Sequence, residues 1–402
     1  MRTNITKRVP KKRFNFSIFN NTQEELLLTF RRIAFYTISN SILGFVLSSY
    51  LSEYLTSEKV SLVFLIPNLI SCLIILFLGE FVRKRSLFKI TAINTIIIFF
   101  SLITQIPENK NIYFIIIPII IYQIALIIGN ILFDYYIENY SDDDTTGDTK
   151  GKQWIIVNFM ILLGPVLSGV LINSFGFNIT FGISALFLIG DFLILYKYFR
   201  KISVNINTEA IAKINLKNIF KQKSVTKMSV THLTLSFFYS WMTIYTPIYM
   251  NTTLNLSWNK IGLILGIILV PFVIIQYPAG QIADKFLGEK ELLITGGIIM
   301  AISTIALFWT KDVVTFTILL FITRVGASLV EIMRDVHFYK NVSCKDLDMI
   351  SFFKLQHPLG YVLGPLLGMI ILSYFDMKYL FLVLGIIVSL IVFININLKD
   401  SK

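Results

Sequence analysis

The chain has 402 residues, 55% of them hydrophobic and only 15% charged, which exceeds the roughly 45–50% apolar share of soluble domains and argues against a water-soluble fold. The formal net charge of +12 does not mark a nucleic-acid binder, because the cations lie in the gaps between apolar blocks. Those blocks, each about 20 residues and long enough to cross a hydrocarbon core of roughly 30 Å, predict about twelve transmembrane helices.

The chain opens on a basic segment (Arg2, Lys7, Arg8, Lys11, Lys12, Arg13) with no short apolar run and small-residue cleavage site after it, so residues 1–32 read as an uncleaved cytoplasmic tail. Predicted spans follow at Ile33–Tyr54, Val60–Gly79, Leu87–Gln105 and Ile112–Phe133. Ser141–Lys152, with Asp142, Asp143, Asp144 and Asp148, reads as a solvated, mobile loop. Trp154–Ser174 and Ile179–Phe199 complete a first bundle of six, residues 33–199. The Lys-rich segment 200–227 is the expected cytoplasmic linker, with a short amphipathic helix near Ile211–Phe220.

The second bundle, residues 228–397, reads as Met228–Asn251, Lys260–Ala279, Glu291–Trp309, Val313–Met333, Leu355–Tyr374 and Tyr379–Ile396, with 398–402 as a short cytoplasmic tail. Basic residues crowd alternate connections: the N-terminal tail, Arg83-Lys84-Arg85, the linker, Lys285–Lys290 and Arg334–Lys354. The others carry single lysines, Lys59, Lys110, Lys311 and Lys378. Positive charge is retained on the cytoplasmic side during insertion, which places both termini there. Cys72 lies in an apolar run and Cys344 in a polar connection, so the two cysteines define no disulfide framework.

The halves also copy one another at an offset of about 200 residues. Leu55-Thr56-Ser57-Glu58-Lys59-Val60 overlies Leu256-Ser257-Trp258-Asn259-Lys260-Ile261, Gly79 overlies Gly280, and Asp134 overlies Asp335. One residue out of phase, Gly164-Pro165, Phe175 and Phe181 overlie Gly364-Pro365, Phe375 and Phe381. Parallel repeats of this kind, related by an axis along the membrane normal, surround a midplane site in many transporters.

The segment Gly280-Gln281-Ile282-Ala283-Asp284-Lys285-Phe286-Leu287-Gly288-Glu289-Lys290 resembles the Gly-x-x-x-Asp-Arg/Lys-x-Gly-Arg/Lys loop of the major facilitator superfamily, with one extra residue before the second glycine. The expected roles are close helix approach at Gly280, a tight turn at Gly288, and a gating latch made by Asp284 and Lys285. The plainer reading is a short charged turn. In the first-half counterpart, Gly79 to Arg85, Arg83 replaces the aspartate. A cation is disfavoured near a helix N-terminus, so the two halves are not expected to latch alike.

Gly164-Pro165-Val166-Leu167-Ser168-Gly169 and Gly360-x-x-x-Gly364-Pro365-x-x-Gly368 resemble the superfamily's Gly-Pro element associated with exporters, and read alternatively as two kinked, closely packed helices. The resemblance covers roughly residues 30 to 397. It implies an all-helical membrane fold of two pseudo-symmetric six-helix bundles, alternating access, no enzyme chemistry, no cofactor and no metal. It further implies a monomer in the cell (inner) membrane whose partners are the bilayer, a small-molecule substrate and protons.

Candidate pathway residues are led by Arg324 and Glu331, seven residues apart and so on one face of the tenth span. Isolated charges are costly in lipid, so that face should look into protein or a wet cavity. A poorly solvated carboxylate favours its neutral form, which suits Glu331 to carrying a proton, while Arg324 suits an anionic substrate or tunes that glutamate. Arg324-Val325-Gly326-Ala327-Ser328 also resembles the superfamily's Arg-x-x-x-Gly helix element, displaced from the fourth helix to its mate. A structural pair bridging helices is the alternative, since Arg334 and Asp335 follow one turn on. The repeat maps Arg324 and Glu331 onto Gln123 and Asn130.

Tyr36, Asn40, Tyr239, Trp241 and Tyr245 are further candidates to line the cavity, or to pack and anchor. Asp191 is intramembrane but sits on a helix that is peripheral in this fold, and Asp134 and Asp335 match each other at cytoplasmic helix ends. His232, His337 and His357 show no metal spacing and read as structural. The strongly aromatic and aliphatic wall points first to proton-coupled export of a lipophilic or amphiphilic compound. Uptake of a small organic anion through Arg324 is the alternative, and a membrane sensor or scaffold that has lost transport is a third. Arg324 and Glu331 sealed in dry protein would favour that third reading.

Overall fold

The computed structural model describes residues 16–107, 111–140, 146–200, 216–283, 288–342 and 346–398, and its regular structure is helical, with no strand among those residues. The first crossing is α1 (Phe16–Gly44) continued by α2 (Leu47–Ser52); α3 (Ser57–Lys84), α4 (Leu87–Ile103) and α5 (Ile112–Tyr140) follow. α6 runs Thr146–Ile194 but breaks at Gly176, whose φ of +76° glycine adopts without the penalty a Cβ would bring. After the short α7 (Leu216–Lys221) come α8 (Lys223–Thr252), α9 (Trp258–Ile274) with α10 (Gln276–Ile282), α11 (Glu289–Ala306), α12 (Val313–Asn341), α13 (Leu347–Leu372) and α14 (Lys378–Asn395).

Among the described residues nine stretches are long and apolar enough to cross a membrane. Lys152–Phe199, at 48 residues, is too long for one crossing and makes two about the break at Gly176. α4, with 17 residues, and α8, with 30, complete the expected twelve. α8 is rich in Ser and Thr and tolerates this because it is buried along most of its length, packed on α2, α12, α13 and α14 rather than facing lipid.

Several helix boundaries differ from expectation: α3 runs to Lys84, α5 to Tyr140, and α8 and α13 start at Lys223 and Leu347, besides three further cases. α1 begins within the segment assigned to the tail, and Thr29 and Arg32 are buried. α6 begins at Thr146, inside the acidic stretch assigned to a loop. α12 continues to Asn341, so residues 334–341 are helical rather than part of a connection. Where the side chains are described, packing rather than hydropathy holds such residues: Thr29, Arg32, Thr149, Arg334 and His337 are buried. The helix expected near Ile211–Phe220 appears as α7, with Ile219 buried and Phe220 exposed, and residues 201–215 lie outside the described residues.

α1 packs on α5 and α6, and α4 and α3 pack on α5; the later elements repeat the pattern, α8 on α12, α13 and α14 and α11 on α12 and α14. The repeat reaches atomic contacts. A Cβ at Gly164 would land on Ser41, and one at Gly364 on Ser240, while Ser41 and Ser240 bond to the carbonyls of Ile38 and Phe237 at 3.2 and 2.9 Å. These glycines admit a neighbouring helix, and α6 and α13 remain helical through Pro165 and Pro365.

The halves meet where α3 crosses α13, α6 crosses α9 and α2 meets α8. At the α6–α9 crossing Gly169 and Gly262 put backbone against backbone: a Cβ on Gly169 would sit 2.6 Å from the Trp258 carbonyl oxygen. At the α3–α13 crossing Ser61 Oγ and the Tyr245 hydroxyl share a buried 2.7 Å hydrogen bond, and Gly368 leaves room for that hydroxyl. Phe177 and Trp258, in edge contact at 5.1 Å, close the same end.

Candidate functional site

The two halves treat their buried charges differently. In the first, Arg32 of α1 donates from Nε to Asp191 Oδ1 at 2.8 Å, both side chains fully buried, and Thr95 Oγ1 of α4 adds a 3.3 Å bond to Oδ2. The guanidinium lies over Phe133, Tyr136 and Phe199 at 4.9, 5.0 and 5.3 Å. Three aromatic faces and one carboxylate thus surround this buried cation, while its Nη1 and Nη2 have no hydrogen-bond partner among the described residues.

In the second half Arg324 is 2% exposed, yet its Nε and Nη1 are without a hydrogen-bond partner among the described residues. Phe238 lies under the guanidinium at 5.0 Å, and Tyr239 and Tyr361 are its phenolic neighbours. Two turns further along α12, Glu331 is half-buried and accepts two hydrogen bonds on Oε2, from the Tyr239 hydroxyl and from Gln276 Nε2 of α10, each at 3.2 Å. Arg334 and Asp335 pair with each other at 2.7 Å. Unpaired buried guanidinium donors are costly unless something satisfies them, and here they lie on the same helix face as a carboxyl group held by neutral donors.

The other candidates are placed as follows. Tyr36 and Trp241 are each 2% exposed and donate to carbonyls of their own half, Leu126 at 3.0 Å and Gly364 at 2.6 Å. Gln123 is buried and donates to the Val63 carbonyl at 3.2 Å, and Asn40, half-buried, accepts from the Tyr122 hydroxyl at 3.4 Å. Asn130 is exposed on α5, one turn before Asp134, which faces Lys354 of α13 at 3.8 Å across the seam between the halves. The structure therefore gathers Arg324, Glu331 and Tyr239, and leaves Tyr36, Asn40, Gln123 and Trp241 engaged in internal bonds.

Of the loop candidates, Asp284 and Lys285 lie outside the described residues. Gly280 has open space where a Cβ would be, which corrects its expected role in close helix approach. Gly288 has φ +82° and caps the start of α11, a conformation that suits glycine. The next residue, Glu289, is buried and reaches His337 Nδ1 at 2.9 Å and Lys340 Nζ at 2.8 Å, and Ser224 Oγ meets His337 Nε2 at 2.7 Å. Sequence reasoning missed this network because Glu289 and His337 are 48 residues apart; the available signal was their shared position at the same end of successive spans.

Twelve membrane-crossing segments in two repeated halves define a polytopic membrane protein. A family model described as Major Facilitator Superfamily matches residues 32–335 and 261–399, and the chain belongs to that family. It is a multi-pass integral membrane transporter of small solutes, not an enzyme. The crystal structure of the nucleoside transporter NupG superposes with a TM-score of 0.75 at 12% identity, covering 92% of this chain and 99% of that one. The crystal structure of a D-xylose-proton symporter gives 0.73 at 16% identity, covering 96% and 99%. A curated Arabidopsis thaliana relative, "Probable folate-biopterin transporter 7", is 28% identical over 136 residues; the match spans 31% of each chain, so this chain covers about a third of that relative's length.

Proposed function

We propose that this chain moves a small organic anion by alternating access, with Arg324 holding the anion and Glu331 carrying a coupled proton. The single observation behind the anion is that Arg324 has no carboxylate partner among the described residues, whereas the buried Arg32 and Arg334 are each paired with one, Asp191 and Asp335. That asymmetry favours an anion over the lipophilic export substrate that the apolar wall first suggests. The carboxyl of Glu331 is bonded by Tyr239 and Gln276, both neutral, so a proton can join or leave without breaking a bonded ion pair. Arg324 is buried but Glu331 is half-buried, so the two are not both sealed, the condition that would favour the sensor reading.

Folate, named together with biopterin for the Arabidopsis relative, is the first anion to try, and biopterin, which has no carboxylate, is a neutral comparison. In this reading the bundles 33–199 and 228–397 rock about the seam, both termini lie on the cytoplasmic side of the cell membrane, and one chain suffices. The test is thermal stability of the purified protein against organic anions and neutral analogues of matched size at two pH values. Ligands that bind the folded state raise stability by RT ln(1 + [L]/Kd), about 2.7 kcal/mol at a hundredfold excess over Kd. Anion-selective stabilisation that is lost in Arg324→Gln, and whose pH dependence is lost in Glu331→Gln, supports the reading. Equal stabilisation by neutral analogues, or binding unchanged in Arg324→Gln, overturns it.

A further inference from the structure

α13 carries two faces of opposite character. Leu363, Leu366 and Ile370 are 42%, 39% and 49% exposed and lie together on one side, the face expected of a helix that meets lipid. Lys354, His357 and Tyr361 follow one another at three- and four-residue spacing on the other side. Lys354 fixes where that second face points, because its amine reaches Asp134 of α5 in the opposite half. His357, on the same stripe, is exposed in spite of lying toward the seam, and Tyr361 is half-buried. The two rings stack with centroids 4.9 Å apart and planes 27° from parallel. Tyr361 is also a neighbour of Arg324, and Tyr239 binds Glu331 on the adjoining wall.

Stacked rings, exposed at His357 and half-buried at Tyr361, with the Arg324 guanidinium within electrostatic reach of Tyr361, offer two kinds of contact at once. A ring face attracts another flat π-system through its quadrupole, and this attraction exceeds what buried area alone supplies. A guanidinium fork binds a carboxylate or phosphate by charge-assisted hydrogen bonds. We propose that His357 and Tyr361, with Arg324 beside them, select a substrate that carries its negative charge on a flat aromatic ring, His357 and Tyr361 acting as the specificity-determining pair. This rests on the organic-anion reading of Arg324 and adds ring recognition to it.

The experiment compares two probes that share charge and ring skeleton and differ in flatness, 2-naphthoate and its fully saturated counterpart, decahydronaphthalene-2-carboxylate. Binding of each is measured by ligand-induced thermal stabilisation of the full chain, wild type, Tyr361→Leu, Tyr361→Phe and His357→Leu, with melting of each unliganded variant as the control for folding. The expected result is naphthoate bound about tenfold more tightly than the saturated acid by wild type and by Tyr361→Phe, which keeps the ring. That preference falls to about twofold or less in Tyr361→Leu and His357→Leu, while the saturated acid binds them as it binds wild type. Equal binding of the two acids by wild type, or a preference that survives both leucine variants, overturns ring selection and leaves the anion reading standing. Binding of neither acid, with naphthalene-2-methanol bound instead, overturns both readings.

Discussion

Asp191→Asn removes one charge and almost no volume, yet it should be among the most destabilising single changes in the first half. Arg32 is fully buried, its Nη1 and Nη2 already lack partners among the described residues, and its Nε has the carboxylate at 2.8 Å. Breaking a buried pair from one side costs about 3–5 kcal/mol, because the remaining charge is stranded. The faces of Phe133, Tyr136 and Phe199 stay in place in both proteins and so leave that difference unchanged. The expected loss is therefore about 3–5 kcal/mol, read as a shift in the denaturant midpoint of the detergent-solubilised protein. The double variant Arg32→Met with Asp191→Leu takes both charges out and should regain most of that loss, since replacing a buried pair by apolar groups is often neutral. A loss below about 1 kcal/mol for Asp191→Asn, or a double variant no more stable than the single one, would refute the claim that this pair is desolvated and mutually compensating.

Other outcomes follow from the same geometry. Gly368→Ala places a methyl on the Tyr245 hydroxyl and should cost about 1–3 kcal/mol by overpacking; adding Tyr245→Phe removes the clashing oxygen and should recover part of it in the same melting assay. Gly262→Ala forces the Gly169 backbone away, so it should slow solute exchange in proteoliposomes more than it lowers substrate affinity, because the α6–α9 crossing must slide when the halves rock. Asp312, outside the spans, caps α12: the Thr315 N–H donates to its carboxylate at 2.8 Å and holds its pKa below the ordinary carboxylate value. Since the folded-state pKa is the lower one, the advantage of wild type over Asp312→Ala should be present above the unfolded-state pKa and disappear as pH falls through the folded one, which a melting series at several pH values reads directly.

The architecture was legible because bilayer thickness imposes one length on every span, and because the repeat places equivalent residues 200 positions apart. Gly164 with Gly364 could be matched in the sequence, and they make equivalent contacts, on Ser41 and Ser240. The charged site was legible only where its members share a helix. Arg324 and Glu331 are seven residues apart on α12, so their common face follows from helical geometry alone. Arg32 was assigned to a soluble tail because polar residues precede it, and its partner is 159 residues away; no local pattern connects them. His357 was set aside for want of metal spacing, whereas the informative pattern was its stripe with Lys354 and Tyr361 opposite Leu363, Leu366 and Ile370. Trp241 and Tyr36 were drawn to the cavity by helix position, yet each has a carbonyl in its own half that satisfies its donor.

The central claim is that an organic anion and a proton share one path past Arg324 and Glu331, and proteoliposomes loaded with a pH-sensitive dye test it most directly. Adding the bound anion outside, with no imposed pH gradient, should acidify the lumen in wild type. Arg324→Gln should abolish that acidification. Glu331→Gln should abolish it while still allowing exchange of labelled for unlabelled anion across the membrane. Acidification that persists in both variants, or anion entry in wild type with no movement of protons, would contradict the account.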